Sequence, residues 1–392
     1  MFFRFLLFYH ISRRYILEEQ LIQHLKDLVS INSVNPDLSK LGQGEKQIAE
    51  FIHNHFTKLN IESKVHIIKD DRCNTTAFLK GNNPEKILLL NGHLDTVGIE
   101  DMKDPFILKN DGDHLYGRGT YDMLAGCAIQ MALATFFSKT PCPISLAFTF
   151  VADEENMSMG MEHLIKHYLP TLPSKPFLGI FMEPTEEAIG ISHKGYSWYE
   201  LKIEGLAAHG SRPEQGINAI FPMEHALSEL SKINKELLDE EPHPHLGHAT
   251  LHPGMISGGT AKSVIASESN IKWERRTLPG ESKQKLDDEL QRVISAVLKA
   301  PGNHKVTGSQ VYNRPPNEVK NHSTIETLRK VAGNKDYNGM SYWADSALAT
   351  MAGIPSILFG PAGHGAHAID EWVSKESMLN CYKTMKKFIL EL

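Results

Sequence analysis

The chain has 392 residues, a formal net charge of −6, and 41% apolar and 22% charged residues. These values are typical of a soluble globular protein with two or three domains, and without a long basic run they favour neither nucleic acid nor an anionic membrane as a partner. The four cysteines lie far apart with no CxxC pair, which argues against a disulfide framework and a thiolate zinc site and favours a reducing, cytoplasmic compartment.

Residues 1–15 are interpreted as a separate N-terminal extension. Their apolar run is broken by Arg4 and ends by Tyr9, far short of the roughly 20 residues that a membrane-spanning helix needs. No small-residue cleavage site follows, so a signal peptide is not expected. We expect an amphipathic or disordered extension without stable membrane insertion, with a weak membrane-surface anchor as the alternative.

Strands and helices alternate through residues 16–194. Helical spacing of apolar residues predicts the helices, and short apolar runs predict the strands. The predicted elements are helices at 16–29, 45–59, 122–138 and 158–168, and strands at 62–68, 74–80, 86–91, 144–152 and 179–184. This alternation predicts an α/β fold with a mostly parallel central sheet.

Residues 195–312 follow a different order, β-α-β-β-α-β, which is the ferredoxin-like split arrangement. The predicted strands are 195–204, 248–257, 268–276 and 305–312, and the predicted helices are 216–239 and 281–299. The α/β pattern resumes in residues 313–392, with helices at 321–333, 345–352 and 376–391 and a strand at 355–359. The smaller domain is therefore predicted to be inserted into the larger one, between 16–194 and 313–392.

His93 and Asp95 follow the apolar strand 86–91. Side chains two residues apart share a face of a strand, so both point into the crevice at its carboxyl end, where open α/β sheets place ligands. A metal-binding His usually has its second ring nitrogen held by an acceptor, a role that Asp95 can fill. The alternative is a His at a strand end that is capped by its neighbour.

Two further acidic features lie after predicted elements. Asp122 follows a glycine-punctuated turn and opens a helix, where it could bridge two cations or act as a simple N-cap. Asp153, Glu154 and Glu155 end the most apolar strand of the chain. Three adjacent acids there repel one another unless cations or protons balance them, although a solvated acidic turn is the alternative.

Glu183 lies at the carboxyl end of the predicted strand 179–184, and His367 lies in a Gly-rich loop after the strand at 355–359. His364 is a nearby competitor for the role of His367. Chance placement of five acid- or His-bearing sites at strand ends or following turns is improbable, so we predict a metal site. Two His and three carboxylates without Cys suit a pair of divalent cations, Zn²⁺ first, with Co²⁺ or Mn²⁺ as substitutes.

The motifs GHLDTV, GRGTYDM, DEE, MEPT, AHGSRP and GPAGHGAHAIDEW resemble those of the M20 metallopeptidase and deacylase family, from about residue 16 to the end. That family includes acetylornithine deacetylase and succinyl-diaminopimelate desuccinylase. The resemblance implies a zinc-exopeptidase-like catalytic domain (16–194 and 313–392) with two zinc ions. It also implies that the inserted domain (195–312) is a lid that closes over substrate and forms a homodimer.

The resemblance also implies the ligand set. His93 and His367 would each bind one zinc ion, and Asp122 would bridge both. Glu155 and Glu183 would bind one ion each, with Glu183 sharing the ion of His93.

Three catalytic residues are implied in the same way. Glu154 would be the general base, because a carboxylate beside a metal-activated water can take its proton and pass it to the leaving amine. Its neighbour Glu155, on an expected extended segment, would point towards the metal. Asp95 would orient His93, and His209 of the lid would polarise the scissile carbonyl, with a helix-capping turn His as the alternative.

Substrate contacts are implied for Arg276 and Ser263. Arg276 would hold a substrate carboxylate by bidentate pairing, whereas Arg275 could be solvated or take that role instead. The sequence departs from the family pattern where Ser263 replaces an Asn that commonly contacts substrate, where Ala266 replaces Pro, and where Leu124 stands in place of Lys. These departures leave the zinc site intact but leave the acyl and amine specificity open.

The expected function is that of a metal-dependent amidohydrolase that removes the acyl group of an N-acyl amino acid, similar to acetylornithine deacetylase. The first alternative is a carboxypeptidase or dipeptidase of the same family. A non-catalytic metal-binding protein is a remote alternative, because binding alone would not require Glu154.

Overall fold

The computed structural model describes residues 17–392, which form two compact units. The larger unit contains the described residues up to Ile191 together with Val319–Asn338 and Ala344–Leu392. The smaller unit contains Ser192–Glu318 and Gly339–Trp343. The extension expected at 1–15 and the first residue of the helix predicted at 16–29 lie outside the described residues. Within 17–392, each helix is too short or too polar to cross a membrane.

The described residues contain nine α-helices and seventeen strands. The helices are α1 (17–29), α2 (Lys46–Lys58), α3 (Ala125–Phe137), α4 (Met159–His163), α5 (Met223–Asp239), α6 (Lys283–Leu298), α7 (Ser323–Val331), α8 (Ser346–Met351) and α9 (Lys375–Leu390). The first strands are β1 (Glu62–Lys69), β2 (Arg72–Leu79), β3 (Asn83–His93), β4 (Lys109–Asp111), β5 (His114–Tyr116), β6 (Ile144–Val151), β7 (Leu178–Phe181), β8 (Ile189–His193) and β9 (Gly195–Glu204). The remaining strands are β10 (Thr250–Gly258), β11 (Glu268–Thr277), β12 (Lys305–Arg314), β13 (Asn317–Glu318), β14 (Tyr337–Met340), β15 (Ser356–Leu358), β16 (Gly363–His364) and β17 (Trp372–Ser374).

The main sheet of the larger unit has the order β1-β2-β6-β3-β7-β15-β8. Its centre is parallel, because β3 pairs in parallel with β6 and β7, and β15 with β7. Leu88 and Leu90 belong to the main core, whereas Ile87 and Leu89 belong to a smaller cluster. Since alternate residues face opposite sides of a strand, both faces of β3 are covered, as is usual for parallel sheets. The predicted α/β fold with a mostly parallel sheet is confirmed.

Four central strands end at the same edge of this sheet. β3 ends at His93 and β6 at Val151, and these two residues are paired neighbours. β7 ends at Phe181, whose partner is Leu358, the last residue of β15. The segments that follow these strand ends therefore start side by side and carry the acidic and His residues of the candidate site.

The smaller unit is built on an antiparallel sheet of order β10-β11-β9-β12. One face of this sheet, with residues such as Leu201 and Ile271, forms a core with α5 and α6. Along the chain the elements run β9, α5, β10, β11, α6, β12, which is the order of the ferredoxin-like split arrangement.

Several bounds differ from those predicted. The helix predicted at 216–239 starts at Met223, directly after Pro222, because proline cannot continue a helical hydrogen-bond ladder towards its N-terminus. The short strands β4, β5, β16 and β17 form a separate small sheet that the periodicity did not predict. The smaller unit also includes Gly339–Trp343, where Trp343 Nε1 donates to the carbonyl of Pro315 at 2.9 Å. Such a contact between distant segments leaves no local sequence pattern.

Candidate metal centre

Asp122, His93 and Glu183 form the first of two groups that could hold a metal ion. The Nε2 atom of His93 lies 3.1 Å from Asp122 Oδ1 and 3.8 Å from Glu183 Oε2. Each residue offers one ligand atom, and these atoms all lie within 4.8 Å of one another. β3 places His93, and the segment after β7 places Glu183.

Asp122 also belongs to the second group, with Glu155 and His367. The Nε2 atom of His367 lies 2.8 Å from Glu155 Oε2 and 3.5 Å from Asp122 Oδ2. Asp122 therefore turns one carboxylate oxygen to each group, which is the geometry expected of a bridging ligand. Across residues 17–392 these are the two groups of at least three His, Cys, Asp or Glu residues that meet this test.

The backbone around Asp122 differs from the predicted helix start. Asp122 has φ −118° and ψ 97°, and the regular helix α3 begins only at Ala125. Its side chain is therefore not an N-cap, the alternative that the sequence left open. The extended backbone at Asp122 lets its carboxylate face both imidazoles.

The charges of the centre point to cations. Burial raises the pKa of Glu183 to about 8 and that of Glu155 to about 7. Hydrogen bonds to Asp122 and Glu155 raise the pKa of His367 to about 10. Burial alone would lower the pKa of His93. The negative charges of Glu183, Asp122 and Glu154 outweigh this effect of burial and raise the pKa of His93 well above its usual value. Buried carboxylates at this density need protons or metal ions to balance them, and carboxylate oxygens with imidazole nitrogens fit zinc or a similar divalent ion.

Asp95 contacts His93 through its main chain. The ring Nδ1 of His93 lies 2.9 Å from the backbone carbonyl oxygen of Asp95 and 3.6 Å from its carboxylate. The orienting acceptor is thus the main chain, and an N–H at Nδ1 leaves the Nε2 lone pair for a metal. The carboxylate of Asp95 instead accepts the backbone N–H groups of Glu154 and Glu155, at 3.0 Å and 3.1 Å.

Glu154 and Glu155 lie in a tight turn after β6 and not on the expected extended segment. The turn begins at Asp153, whose φ of 68° is in the left-handed region. Glu155 reaches His367, whereas Glu154 lies in the same buried cluster and interacts with the charges of His93 and Glu183. Burial raises the pKa of Glu154 well above its usual value, as suits a group that exchanges protons.

Glu371 and Asp345 are two residues of the centre for which the sequence pattern predicts no role. The buried carboxylate of Glu371 accepts the backbone N–H groups of Gly119, Tyr121 and Asp122 at 2.8–3.1 Å and pairs with Arg118 at 2.8 Å. Glu371 thereby joins the loop of His367 to the loop of Asp122. Asp345 is also buried, and its negative charge raises the pKa values of Glu154 and Glu183.

The remaining predicted residues lie in the smaller unit. His209 is exposed and lies 2.7 Å from Ser211 Oγ, and Gly210 N donates to the carbonyl of Ser263 at 2.7 Å. His209 and Ser263 therefore occupy adjacent loops of that unit.

The two neighbouring arginines of the smaller unit differ in burial. Arg276 is partly exposed, lies over the ring of Tyr196 and pairs with Glu274 at 2.7 Å. Arg275 is fully buried between Glu281 and Glu289, at 2.6 Å and 2.9 Å, so the suggestion that it could hold substrate is wrong.

His364, the competitor of His367, is exposed and belongs to neither metal-binding group. Its Nε2 lies 3.9 Å from Asp370. His367 is therefore the His of this loop that the structure brings to the candidate centre.

Leu124 and Ala266, two of the departures from the family pattern, are buried side chains.

The chain is similar to known proteins over most of its length. The family model described as Peptidase family M20/M25/M40 matches residues 89–391. The chain is 27% identical over 380 residues to an acetylornithine deacetylase of Buchnera aphidicola subsp. Schizaphis graminum, which covers 94% of this chain and 97% of that protein. A crystal structure of a tripeptidase from Staphylococcus aureus has a TM-score of 0.76 at 19% identity, covering 95% of this chain and 98% of that chain. A dinuclear metal binding peptidase of the M20 family from Bacillus subtilis has a TM-score of 0.71 at 15% identity, covering 96% and 98%.

Proposed function

This chain belongs to peptidase family M20/M25/M40, and we propose that within this family it removes the acyl group of an N-acyl amino acid, similar to acetylornithine deacetylase. The family is metal-dependent, and its members act on amide bonds. The observation that carries the proposal is the division of Asp122 between two metal-binding groups, with Glu154 close enough to interact with the charges of His93 and Glu183. We propose two Zn²⁺ ions as the metals, with Co²⁺ or Mn²⁺ as substitutes.

The proposed mechanism assigns a role to each residue of the centre. His93 and Glu183 would hold one ion, His367 and Glu155 would hold the other, and Asp122 would contribute one carboxylate oxygen to each group. When bound there, the metal ions would lower the pKa of a water molecule and stabilise negative charge on the substrate carbonyl oxygen. The carboxylate of Glu154 would take the proton of the attacking water and deliver it to the leaving amine.

Substrate recognition is proposed for the smaller unit. Arg276 offers a planar guanidinium to a substrate carboxylate, which its partial exposure permits. Ser263 contacts substrate from the loop beside His209, and His209 polarises the scissile carbonyl. Support for His209 is its exposure and its ring hydrogen bond to Ser211, which limits the ring's rotation.

We further propose a cytoplasmic homodimer that forms through the smaller unit. Large apolar residues are exposed on its edge strand β10, at Met255 and Ile256, and before α5, at Ile220 and Phe221. Exposed apolar groups on an unpaired edge strand are typical of a contact surface. All four cysteines are free and buried, which suits a reducing compartment. Light scattering on the purified protein should give twice the monomer mass, and a monomer would contradict this part of the proposal.

A peptidase is the second candidate function. It is favoured by the fold shared with the Staphylococcus aureus tripeptidase, and the same centre can hydrolyse a peptide bond. A panel of N-acetyl, N-succinyl, dipeptide and tripeptide substrates on zinc-loaded protein separates the two. Highest kcat/KM on an N-acyl amino acid supports the deacylase, and highest kcat/KM on a peptide supports the peptidase. No turnover across the panel, with two metals bound, would favour a non-catalytic metal-binding protein.

A further inference from the structure

We propose that Asn35 is a positioning residue that holds the turn of Glu154 and Glu155 in place for catalysis. This inference rests on the proposed function, since it concerns the proposed general base and one proposed metal ligand. Asn35 is fully buried in the loop between α1 and α2 and contacts neither metal-binding group.

The side-chain nitrogen of Asn35 joins two buried carboxylates. It donates to Asp95 Oδ2 at 2.9 Å and to Asp153 Oδ1 at 3.0 Å. An amide nitrogen carries two hydrogens, so both are used. Asp95 in turn accepts the N–H groups of Glu154 and Glu155, and Asp153 begins the same turn. Asn35 therefore hydrogen-bonds to both of the carboxylates that hold the turn in place.

The position of the Asn35 amide is itself well determined. Its carbonyl oxygen accepts the N–H of Asp37 at 3.0 Å, and its own backbone N–H donates to Thr96 at 2.9 Å. With the oxygen used in this way, the nitrogen must face the two carboxylates. An aspartate at this position would place a third carboxylate against them, so the chemistry requires Asn.

Arg72 supplies the charge that makes this arrangement stable. Its guanidinium donates to Asp153 at 2.7 Å and to both oxygens of Glu45, and is itself buried. Asn35 thus connects the Arg72–Asp153 ion pair to Asp95. The left-handed conformation of Asp153 (φ 68°) is less favourable for aspartate than for glycine, and these contacts help to stabilise it.

Loss of the Asn35 amide should move the turn. Asp95 and Asp153 would then face each other without the shared donor, and their repulsion would displace Glu154 relative to the reacting water. A displacement of about 1 Å at a catalytic group costs about 100-fold in rate. The loss should fall on kcat, because Asn35 touches no group proposed to bind substrate.

The test compares Asn35→Ala and Asn35→Ser with Asn32→Ala. Asn32 lies in the same loop, but its amide contacts only Leu41 and Val34, so it is a matched control. For each zinc-loaded protein, kcat, KM, zinc content and the crystal structure of the turn are measured. We expect Asn35→Ala to lower kcat about 100-fold with KM within about threefold and the turn displaced. Asn35→Ser, which keeps a shorter donor, should show a smaller loss, and Asn32→Ala should resemble the wild type.

Other outcomes overturn the inference. A turn that stays in place in both Asn35 variants contradicts it, whether or not kcat falls, and so does a displaced turn with unchanged kcat. If Asn35→Ala does not fold, Asn35→Ser decides by the same criteria. A wild type without turnover on the substrate panel would reject the proposed function instead; the crystal structures would still decide whether Asn35 holds the turn.

Discussion

The backbone N–H of Glu154 donates to the carboxylate of Asp95 at 3.0 Å. This bond joins the segment after β3 to the segment after β6, two neighbouring parallel strands. The segment after β3 also carries the carbonyl that orients His93. One residue thus sets the position of a proposed metal ligand through its main chain and of the proposed general base through its side chain.

Replacement of the proposed base tests the role of Glu154. Glu154→Gln keeps the size of the side chain but cannot accept the proton of water, so we expect kcat to fall by about 10²–10⁴-fold. Zinc content and thermal stability should stay at wild-type values, because the Asp95 contact uses the backbone of Glu154. Activity near the wild-type level would remove Glu154 from the mechanism.

Asp122 should control the binding of both metals. Asp122→Asn has one neutral oxygen and one amide group where the two metal-binding groups each need an anionic oxygen. We expect zinc content, measured by mass spectrometry of the dialysed protein, to fall from two per chain to one or less. The exposed Asp111→Asn, a carboxylate at the end of β4, is the control and should keep both ions. Two tightly bound ions in Asp122→Asn would contradict the bridging role.

Glu371 should increase the affinity of the centre for metal ions, although it is not one of the proposed ligands. Glu371→Gln removes the negative charge that accepts three backbone N–H groups of the Asp122 loop and pairs with Arg118. Loss of such an indirect contact typically costs about 10–100-fold in metal affinity or activity. Competition with a chelator measures the zinc affinity, and exposed Glu376→Gln, in the first turn of α9, is the matched control. Equal affinities for the two variants would show that Glu371 has only a structural role.

The sequence predicted the elements, and the residues that the structure groups as candidate ligands, better than the contacts that support them. A strand such as β3 is recognisable because its apolar residues are consecutive; His93 is the last residue of this strand, and Glu183 lies two residues after the end of β7. The supporting contacts have no local pattern: Asn35 and Asp95 are 60 residues apart, and Tyr121 and Glu371 are 250 apart. The burial of Arg275 was missed for the same reason, since its partner Glu289 lies on another element, α6.

The pH dependence of stability should include a contribution from His24. Burial, with a smaller effect of His55, lowers the pKa of His24 to about 4 in the folded protein, whereas the unfolded value is about 6.5. Between these values the unfolded state binds more protons, so stability falls as pH drops from 6.5 to 4, by at most about 3 kcal/mol from this group. Urea unfolding from pH 7.5 to pH 4.5 measures this slope. His24→Gln should flatten it and the exposed His252→Gln should not; equal slopes would contradict the assignment.

Arg275 and Arg276 are adjacent, but their replacement should affect different properties: substrate binding for Arg276 and stability for Arg275. Arg276→Ala removes a partly exposed guanidinium proposed to bind the substrate carboxylate, so we expect KM to rise about 10–100-fold with thermal stability unchanged. Arg275→Ala leaves Glu281 and Glu289 without their buried partner and should destabilise the protein by about 3–5 kcal/mol. A substrate analogue with its carboxylate converted to an amide is the control: the wild type and Arg276→Ala should then have similar KM values. If Arg276→Ala leaves the KM for the carboxylate substrate unchanged, this result would contradict the proposed contact between Arg276 and the substrate carboxylate.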